Sequence, residues 1–286
     1  MRIDEQARKC VSFLAIQKPG SQPESIALVA VGTLFYVGIR QDNDRWVAYG
    51  ITARHVVDAS RPDGDLFIRL VDSNGNTVPM RIPVDLWWAH PNTDVAAIRI
   101  SFNLAEYGLQ FLPTDLFATP DWLNQHNVGV GDRLVISGMF SNYVGSLRDE
   151  PILRFGRISL MPTEKLRMPP QDHSPEMEIE VILAEAASWG GQSGSPTFVY
   201  FSFDRSLFVG DRVEMRLPNP RLLGLVHGHY NIVQRVLEKD TEYPDLRVPL
   251  NAGIAIIVPA MKILELLNDP SVVEDRETRA AQEEGG

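Results

Sequence analysis

The chain has 286 residues, of which 44% are hydrophobic and 22% charged. These are ordinary globular values, and they exclude a disordered or fibrous protein. Lys and Arg total 27 against 37 Asp and Glu, a formal net charge of -10, which argues against the basic face a nucleic-acid footprint needs.

The first nineteen residues contain Asp4, Glu5, Arg8 and Lys9 and no long apolar stretch, so they do not read as a secretory signal. No window of the sequence is apolar enough to read as a membrane span. Cys10 is the single cysteine. It can form neither an intramolecular disulfide nor a cysteine-rich metal site, and it reads as a free thiol without a catalytic part. The expected address is the cytoplasm.

In chain order, residues 1–24 are expected to be an N-terminal extension, followed by a first β-rich unit over 25–102. Ser25–Arg40, Arg45–Val57 and Leu66–Asp72 are rich in Val, Ile, Leu and aromatics. Asn74-Gly75-Asn76 is a turn signal that makes Leu66–Asp72 and Thr77–Ile82 a hairpin. Val95–Phe102 is a further expected strand. Residues 103–130 carry Pro113 and Pro120 and no clear period, and are expected to be a linker with one short helix.

A second β-rich unit is expected over 131–258, with strands at Asp132–Phe140, Ile152–Leu160, Glu176–Ala184, Ser195–Phe201, Arg221–His227 and Gly253–Val258. Short strands punctuated by Gly and Pro suggest barrels or sandwiches. Within 259–286, Pro259 followed by Met261, Ile263, Leu264, Leu266 and Leu267 predicts an amphipathic helix. From Asn268 onward the acidic, polar sequence predicts a frayed tail.

Three segments carry candidate chemistry: Thr52-Ala53-Arg54-His55, Thr93-Asp94-Val95-Ala96 and Gly190-Gly191-Gln192-Ser193-Gly194-Ser195-Pro196. A serine nucleophile needs an exposed hydroxyl, a base and backbone N–H groups for the developing oxyanion. Ser193 among Gly190, Gly191 and Gly194 offers the first and third, His55 the second, and Asp94 a group to orient the imidazole. Taken singly, each has a plainer explanation: a surface turn, a structural histidine, a cap aspartate. Taken together, the order His, Asp, Ser places base and orienter in the first unit and the nucleophile in the second, where a cleft between two barrels could assemble them.

The three segments resemble the histidine, aspartate and serine motifs of bacterial chymotrypsin-fold (trypsin-like) serine peptidases. Gly131–Gly138, Gly224-Leu225-Val226 and Asn251–Ala255 are similar to strands of that family's second barrel. The resemblance runs from about Gly32 to Leu267. It implies an all-β fold of two six-stranded antiparallel barrels with a C-terminal helix. It implies catalysis by His55, Asp94 and Ser193, with an oxyanion hole from the N–H groups of Gly191 and Ser193.

It also implies substrate contacts at Ala187, His227, Gly228 and His229. Ala187 stands where trypsin-type relatives carry an acidic residue, so a small or apolar preference is expected instead of a basic one. Gln192 replaces the aspartate that pairs with a freed N-terminus in digestive relatives, so activation by such a cleavage is not expected. His227 falls where relatives often have a serine touching the triad aspartate. It is expected either to bond Asp94 or to stand one residue out of register; with His229 it would favour an acidic substrate residue. His227 and His229 lack an acidic or Cys partner at ligand spacing, so no metal is expected, and the chemistry needs no cofactor.

The function so implied is a serine endopeptidase acting on a peptide or protein substrate, with no nucleic-acid or membrane partner. A regulatory partner protein remains open. So do two other readings: a catalytically latent protein of the same fold that binds or scaffolds, and an esterase or self-processing enzyme using the same residues.

Overall fold

A computed structural model describes residues 5–18, 27–41, 44–61, 64–140, 149–168, 177–186, 191–201, 207–209, 212–214, 220–238 and 241–284. In the first unit, helix α1 (Glu5–Lys9) leads into strand β1 (Val11–Gln17). Then come β2 (Leu28–Arg40), β3 (Trp46–Thr52), helix α2 (Arg54–Ser60), β4 (Leu66–Val71), β5 (Thr77–Ile82), β6 (Trp88–Ala89), β7 (Ala96–Arg99) and β8 (Leu112–Pro113). The segment between β8 and the next strand holds helix α3 (Pro120–Gln125), capped by the Thr119 hydroxyl on the N–H of Trp122.

Among the described residues the first unit is an eight-stranded sheet, and the closed six-stranded barrel implied by the resemblance is not seen there. Its order is β5-β4-β1-β2-β3-β7-β6, with β8 added parallel to β2. Val11–Gln17, expected ahead of this unit, is a strand within it, wedged between β2 and β4. And β5 contains Pro79, which has no N–H to offer, a residue suited to an edge strand. The β4–β5 hairpin has the expected register, Leu66 opposite Ile82 and Val71 opposite Thr77. The Asp72 carboxylate accepts the N–H groups of Asn74 and Asn76, and Gly75 takes a left-handed φ of 83° in the turn.

The second unit is a closed barrel of six strands. Chain order gives β9 (Arg133–Gly138), β10 (Ile152–Leu160), a small pair β11 (Leu166–Met168) and β12 (Met177–Ile179), and β13 (Ile182–Glu185). There follow β14 (Pro196–Tyr200), a second small pair β15 (Leu207–Val209) and β16 (Arg212–Glu214), and then β17 (Arg221–Glu238) and β18 (Thr241–Pro259). Around the barrel the order is β10-β13-β18-β17-β14-β9. β17 and β18 outrun it: their pairing continues from Asn231 opposite Asn251 to Glu238 opposite Thr241 as a two-stranded ribbon.

Ala118, Leu134, Ile136, Ile158, Ala184, Val226 and Ile257 form one apolar cluster within the second unit. A larger core joins Leu34, Phe35 and Tyr49 of the first sheet to Val135, Phe198 and Leu225 of the barrel and to Ile263 and Leu267 of helix α4 (Ala260–Leu267). The two units are therefore packed through shared apolar side chains.

Residues beyond Asn268 fold into helix α5 (Pro270–Glu284) rather than fraying. Asp269 accepts the N–H and hydroxyl of Ser271, and Pro270 occupies the first turn, where its missing N–H costs nothing. Val272 is fully buried, Asp275 pairs with Arg99 of β7, and Arg276 donates to the carbonyl of Leu267 beside Tyr49. These tertiary contacts anchor a helix whose own composition is polar. Among the described residues, no helix is long and apolar enough to cross a membrane.

Candidate active site

Helix α2 begins directly after β3 and carries His55 in its first turn, where the sequence suggests a continuing strand. Val56 and Val57 face the core from this helix, while Arg54 and Asp58 pair at 2.9 Å along its outer side. Ala53 at its start has no side chain able to cap. The orphan N–H of His55 is instead taken at 2.8 Å by Oδ1 of Asp94, a residue from the turn before β7. Asp94 thus caps the helix, and its Oδ2 accepts from Nδ1 of the His55 ring at 2.8 Å. One carboxylate fixes both the backbone and the imidazole of His55.

Oδ2 of Asp94 has a second imidazole partner, Nδ1 of His227 at 2.5 Å. Asp94 is 2% exposed. Burial alone would push its carboxyl up. The charge of His55 and the hydrogen bonds from His227 and His55 outweigh burial and hold it far below the usual carboxylate range. Asp94 is therefore an ionised, acceptor-only group, and both Nδ1 atoms facing it carry protons. When His55 gives up its second proton, the lone pair lies on Nε2, and the ring's charged form is the one that Asp94 favours. One ligand atom from each of His55, Asp94 and His227 lies within 4.8 Å of the others, so Asp94 supplies the acidic neighbour that spacing along the chain did not show. With both Nδ1 atoms facing Oδ2, the three side chains form a hydrogen-bonded network.

The turn before Asp94 is itself braced. His90 donates its N–H to the carbonyl of Val95, and its Nδ1 accepts the N–H of Asn92. That assigns the ring proton to Nε2, which reaches Glu265 of α4 at 3.2 Å. Burial lowers the His90 pKa, opposed by its bond to Glu265. Sequence reasoning assigned His90 no role, because Arg54 and Glu265, two of its partners, lie 36 and 175 residues away in other elements.

Ser193 sits in the turn into β14. Gly191 and Gly194 have left-handed φ values of 87° and 85°. A Cβ on Gly194 would also run into the Thr33 carbonyl and the Thr52 hydroxyl, so no other residue fits. The carbonyl of Gln192 accepts from the N–H of Ser195, and that of Ser193 from the N–H of Thr33 at 2.9 Å. The carbonyl of Gly191 accepts from the Thr33 hydroxyl at 3.1 Å. Three successive carbonyls are thus held, while the N–H groups of Gly191 and Ser193 donate to no group among the described residues. The Ser193 hydroxyl donates to the backbone carbonyl of His227 at 3.3 Å.

Thr33 is the residue that sequence reasoning missed entirely. Fully buried in β2, its hydroxyl donates to Gly191 and accepts from the N–H of Met139 and the hydroxyl of Ser195. One donor and two lone pairs are all used. It ties the first sheet to the nucleophile turn and to the end of β9, and a threonine inside a strand gives no local sign of this.

The structure thus brings His55, Asp94 and His227 into one hydrogen-bonded group and links Ser193 to it through the His227 carbonyl. The His227 side chain is 3% exposed and faces Asp94, not solvent. Gly228 is buried in β17, whereas His229 is half-buried, its pKa lowered by burial against a bond with Asn231. Ala187 and Gly190 lie outside the described residues. A cavity of about 640 Å³ lies elsewhere, between α1, the end of β4 and Leu104–Tyr107, and touches none of these residues.

No family model matches the chain, and no curated protein does. Solved structures it is similar to include protease domains. One is the MamO protease domain from Magnetospirillum magneticum in its apo form, at 15% identity over 92% of this chain and 98% of that one, with a TM-score of 0.49. Another is the Rv3671c protease from M. tuberculosis in its active form, at 18% identity over 91% and 79% of the two chains, with a TM-score of 0.49. The inactive form of Rv3671c matches at 17% identity over 92% and 89%, with a TM-score of 0.44.

Proposed function

We propose that the protein is a serine endopeptidase that cleaves peptide bonds through an acyl-enzyme. The observation that carries this reading is the two-point hold of Asp94 on His55, at the backbone N–H and at Nδ1. That hold leaves Nε2 of His55 as the base, in a site that also presents Ser193 and two unspent N–H groups. Ser193 Oγ attacks the substrate carbonyl carbon while Nε2 of His55 takes its proton. The oxyanion accepts from the N–H groups of Gly191 and Ser193. The C–N bond then breaks, and the amine leaves with the proton from His55. Water, deprotonated in turn by His55, hydrolyses the ester and restores Ser193. Substrates are peptides or proteins, with a small or apolar residue preferred before the cut, as Ala187 suggests.

A second reading, a latent peptidase that acts as a binding or scaffold protein, is favoured by the Ser193 hydroxyl. It points to the His227 carbonyl, and it must rotate towards His55 before attack. Labelling with a fluorophosphonate separates the two. The endopeptidase reading expects the purified, folded protein to label and to cut a denatured protein substrate, and expects Ser193→Ala and His55→Ala to do neither. A folded wild type that does not label would sink it in favour of the latent protein. Labelling with turnover of esters but not peptides would restrict the activity to ester hydrolysis.

A further inference from the structure

The cavity of about 640 Å³ beside α1 falls within the volume range of small-ligand sites, about 300–1,000 Å³. Its walls come from both units: α1, β1 and β4 of the first, and Asp149–Pro151 ahead of β10 in the second. The buried side chains of Val11 and Leu70 supply an apolar part. Three cations line it, and each already has a carboxylate. Lys9 pairs with Glu5 at 2.8 Å, Arg8 with Glu150 at 2.7 Å, and Arg69 with Asp149. Two lining carboxylates, Asp72 and Glu106, pair with no cation among the described residues. Hydrogen bonds from Asn76 and Asn74 hold Asp72 below the usual carboxylate range, so it stays ionised. Asp149 adds an unspent acceptor. Its side chain is only 9% exposed, Oδ1 accepts from Arg69, and Oδ2 has no partner among the described residues. A buried carboxylate oxygen without a donor has lost its water without return.

We propose that this cavity binds an alkylammonium ligand: an ammonium N–H donates to Oδ2 of Asp149, Glu106 and Asp72 meet further positive charge, and the methylene chain lies against Val11 and Leu70. An anion would meet walls whose cations are already paired and whose surplus charge is negative. A single metal ion would leave most of the volume unfilled. A chain of methylenes bearing ammonium groups matches both the volume and the charge. The same chemistry occurs in a free polyamine and in the lysine side chain of a polypeptide. None of the cavity's residues belongs to the proposed catalytic set.

The test is calorimetric titration of the full chain with spermidine at constant ionic strength. Spermidine should bind at a single site and raise the Tm once its concentration passes Kd. Asp149→Asn keeps an amide oxygen for Arg69 but removes the charge, and it should weaken binding about 10- to 100-fold. Glu106→Gln, at an exposed position, should weaken it about 2- to 5-fold. Ala105 lines the cavity from an exposed position, so Ala105→Trp should fill the space and abolish binding while the chain stays folded. That variant decides the matter if Asp149→Asn is unstable. A blocked Lys-Ala-Lys peptide separates the two sources. Peptide binding that depends on Asp149 and Ala105, without spermidine binding, would support the site and assign it to a lysine side chain. Spermidine binding with the same dependence would assign it to a free polyamine. Equal binding to the wild type and a folded Asp149→Asn, or to the wild type and Ala105→Trp, would show only attraction to a chain of net charge -10 and overturn the proposal. Failure of both probes to bind at millimolar concentration would overturn it as well.

Discussion

Replacing Thr33 by Val keeps the shape of the side chain and removes one hydroxyl. That hydroxyl is shared by Gly191, Met139 and Ser195, two of which belong to the nucleophile turn. Leaving a buried polar group unpaired costs about 1–3 kcal/mol. Met139 is fully buried, so its N–H should bear the full cost. The Ser195 hydroxyl can rotate, and the Gly191 carbonyl is half-buried and can be partly rehydrated. The expected loss is therefore about 2–5 kcal/mol, a large part of the stability of an ordinary domain. Urea unfolding should show it as a lower midpoint at unchanged slope. Thr33→Ser keeps the hydroxyl and should lose only about 1 kcal/mol for the missing methyl. Because the Gly191 carbonyl would no longer be held, Thr33→Val should also slow fluorophosphonate labelling under conditions where it is still fully folded. A Thr33→Val protein within about 0.5 kcal/mol of Thr33→Ser would refute the reasoning, because the hydroxyl would then not be the clamp between the two units.

Gly194→Ala forces a left-handed residue and a collision with Thr33 and Thr52; it should destabilise by about 1–3 kcal/mol and abolish labelling, measured by thermal unfolding beside the probe assay. His90 has its pKa lowered in the folded state, so the unfolded chain binds the proton more readily there. Its contribution is present above the ordinary histidine range and is lost as the pH falls through about 6.5 and below. Protonation at Nδ1 would also displace the Asn92 N–H. Stability measured from pH 7.5 to 5 should therefore fall less steeply in His90→Asn than in the wild type, and equal slopes would exclude this coupling. Arg276→Ala removes the donor to the Leu267 carbonyl and should raise amide exchange across α5 while leaving the barrel strands protected. Uniform exchange across the chain would instead show that α5 unfolds only with the whole.

Local chemistry sufficed for some elements. Asn74-Gly75-Asn76 specified its hairpin because an Asp72 carboxylate and a glycine free to take positive φ act within a few residues of each other. Gly191 and Gly194 marked the nucleophile turn for the same reason. The barrel strands β9, β10 and β14 fell where β-branched and aromatic runs predicted them. Other elements were hidden because their partners are remote. Val56-Val57 suits a strand as well as a helix, and it is Asp94, thirty-nine residues after His55, that supplies the cap for α2. Helix α5 reads as a solvated tail until Arg99, Leu267 and the pocket for Val272 surround it.

The sequence by itself determined which residues could do chemistry and in what order along the chain, because nucleophile, base and oxyanion turn each need particular side chains or glycines. Only the tertiary structure decided that β1 enters the first sheet, between β2 and β4. It alone decided that Thr33 clamps the nucleophile turn and that a bulge turns His227 onto Asp94. Hydrogen bonds across such separations depend on where whole strands come to lie, and strand placement is set by the packing of the two units, not by any spacing within them.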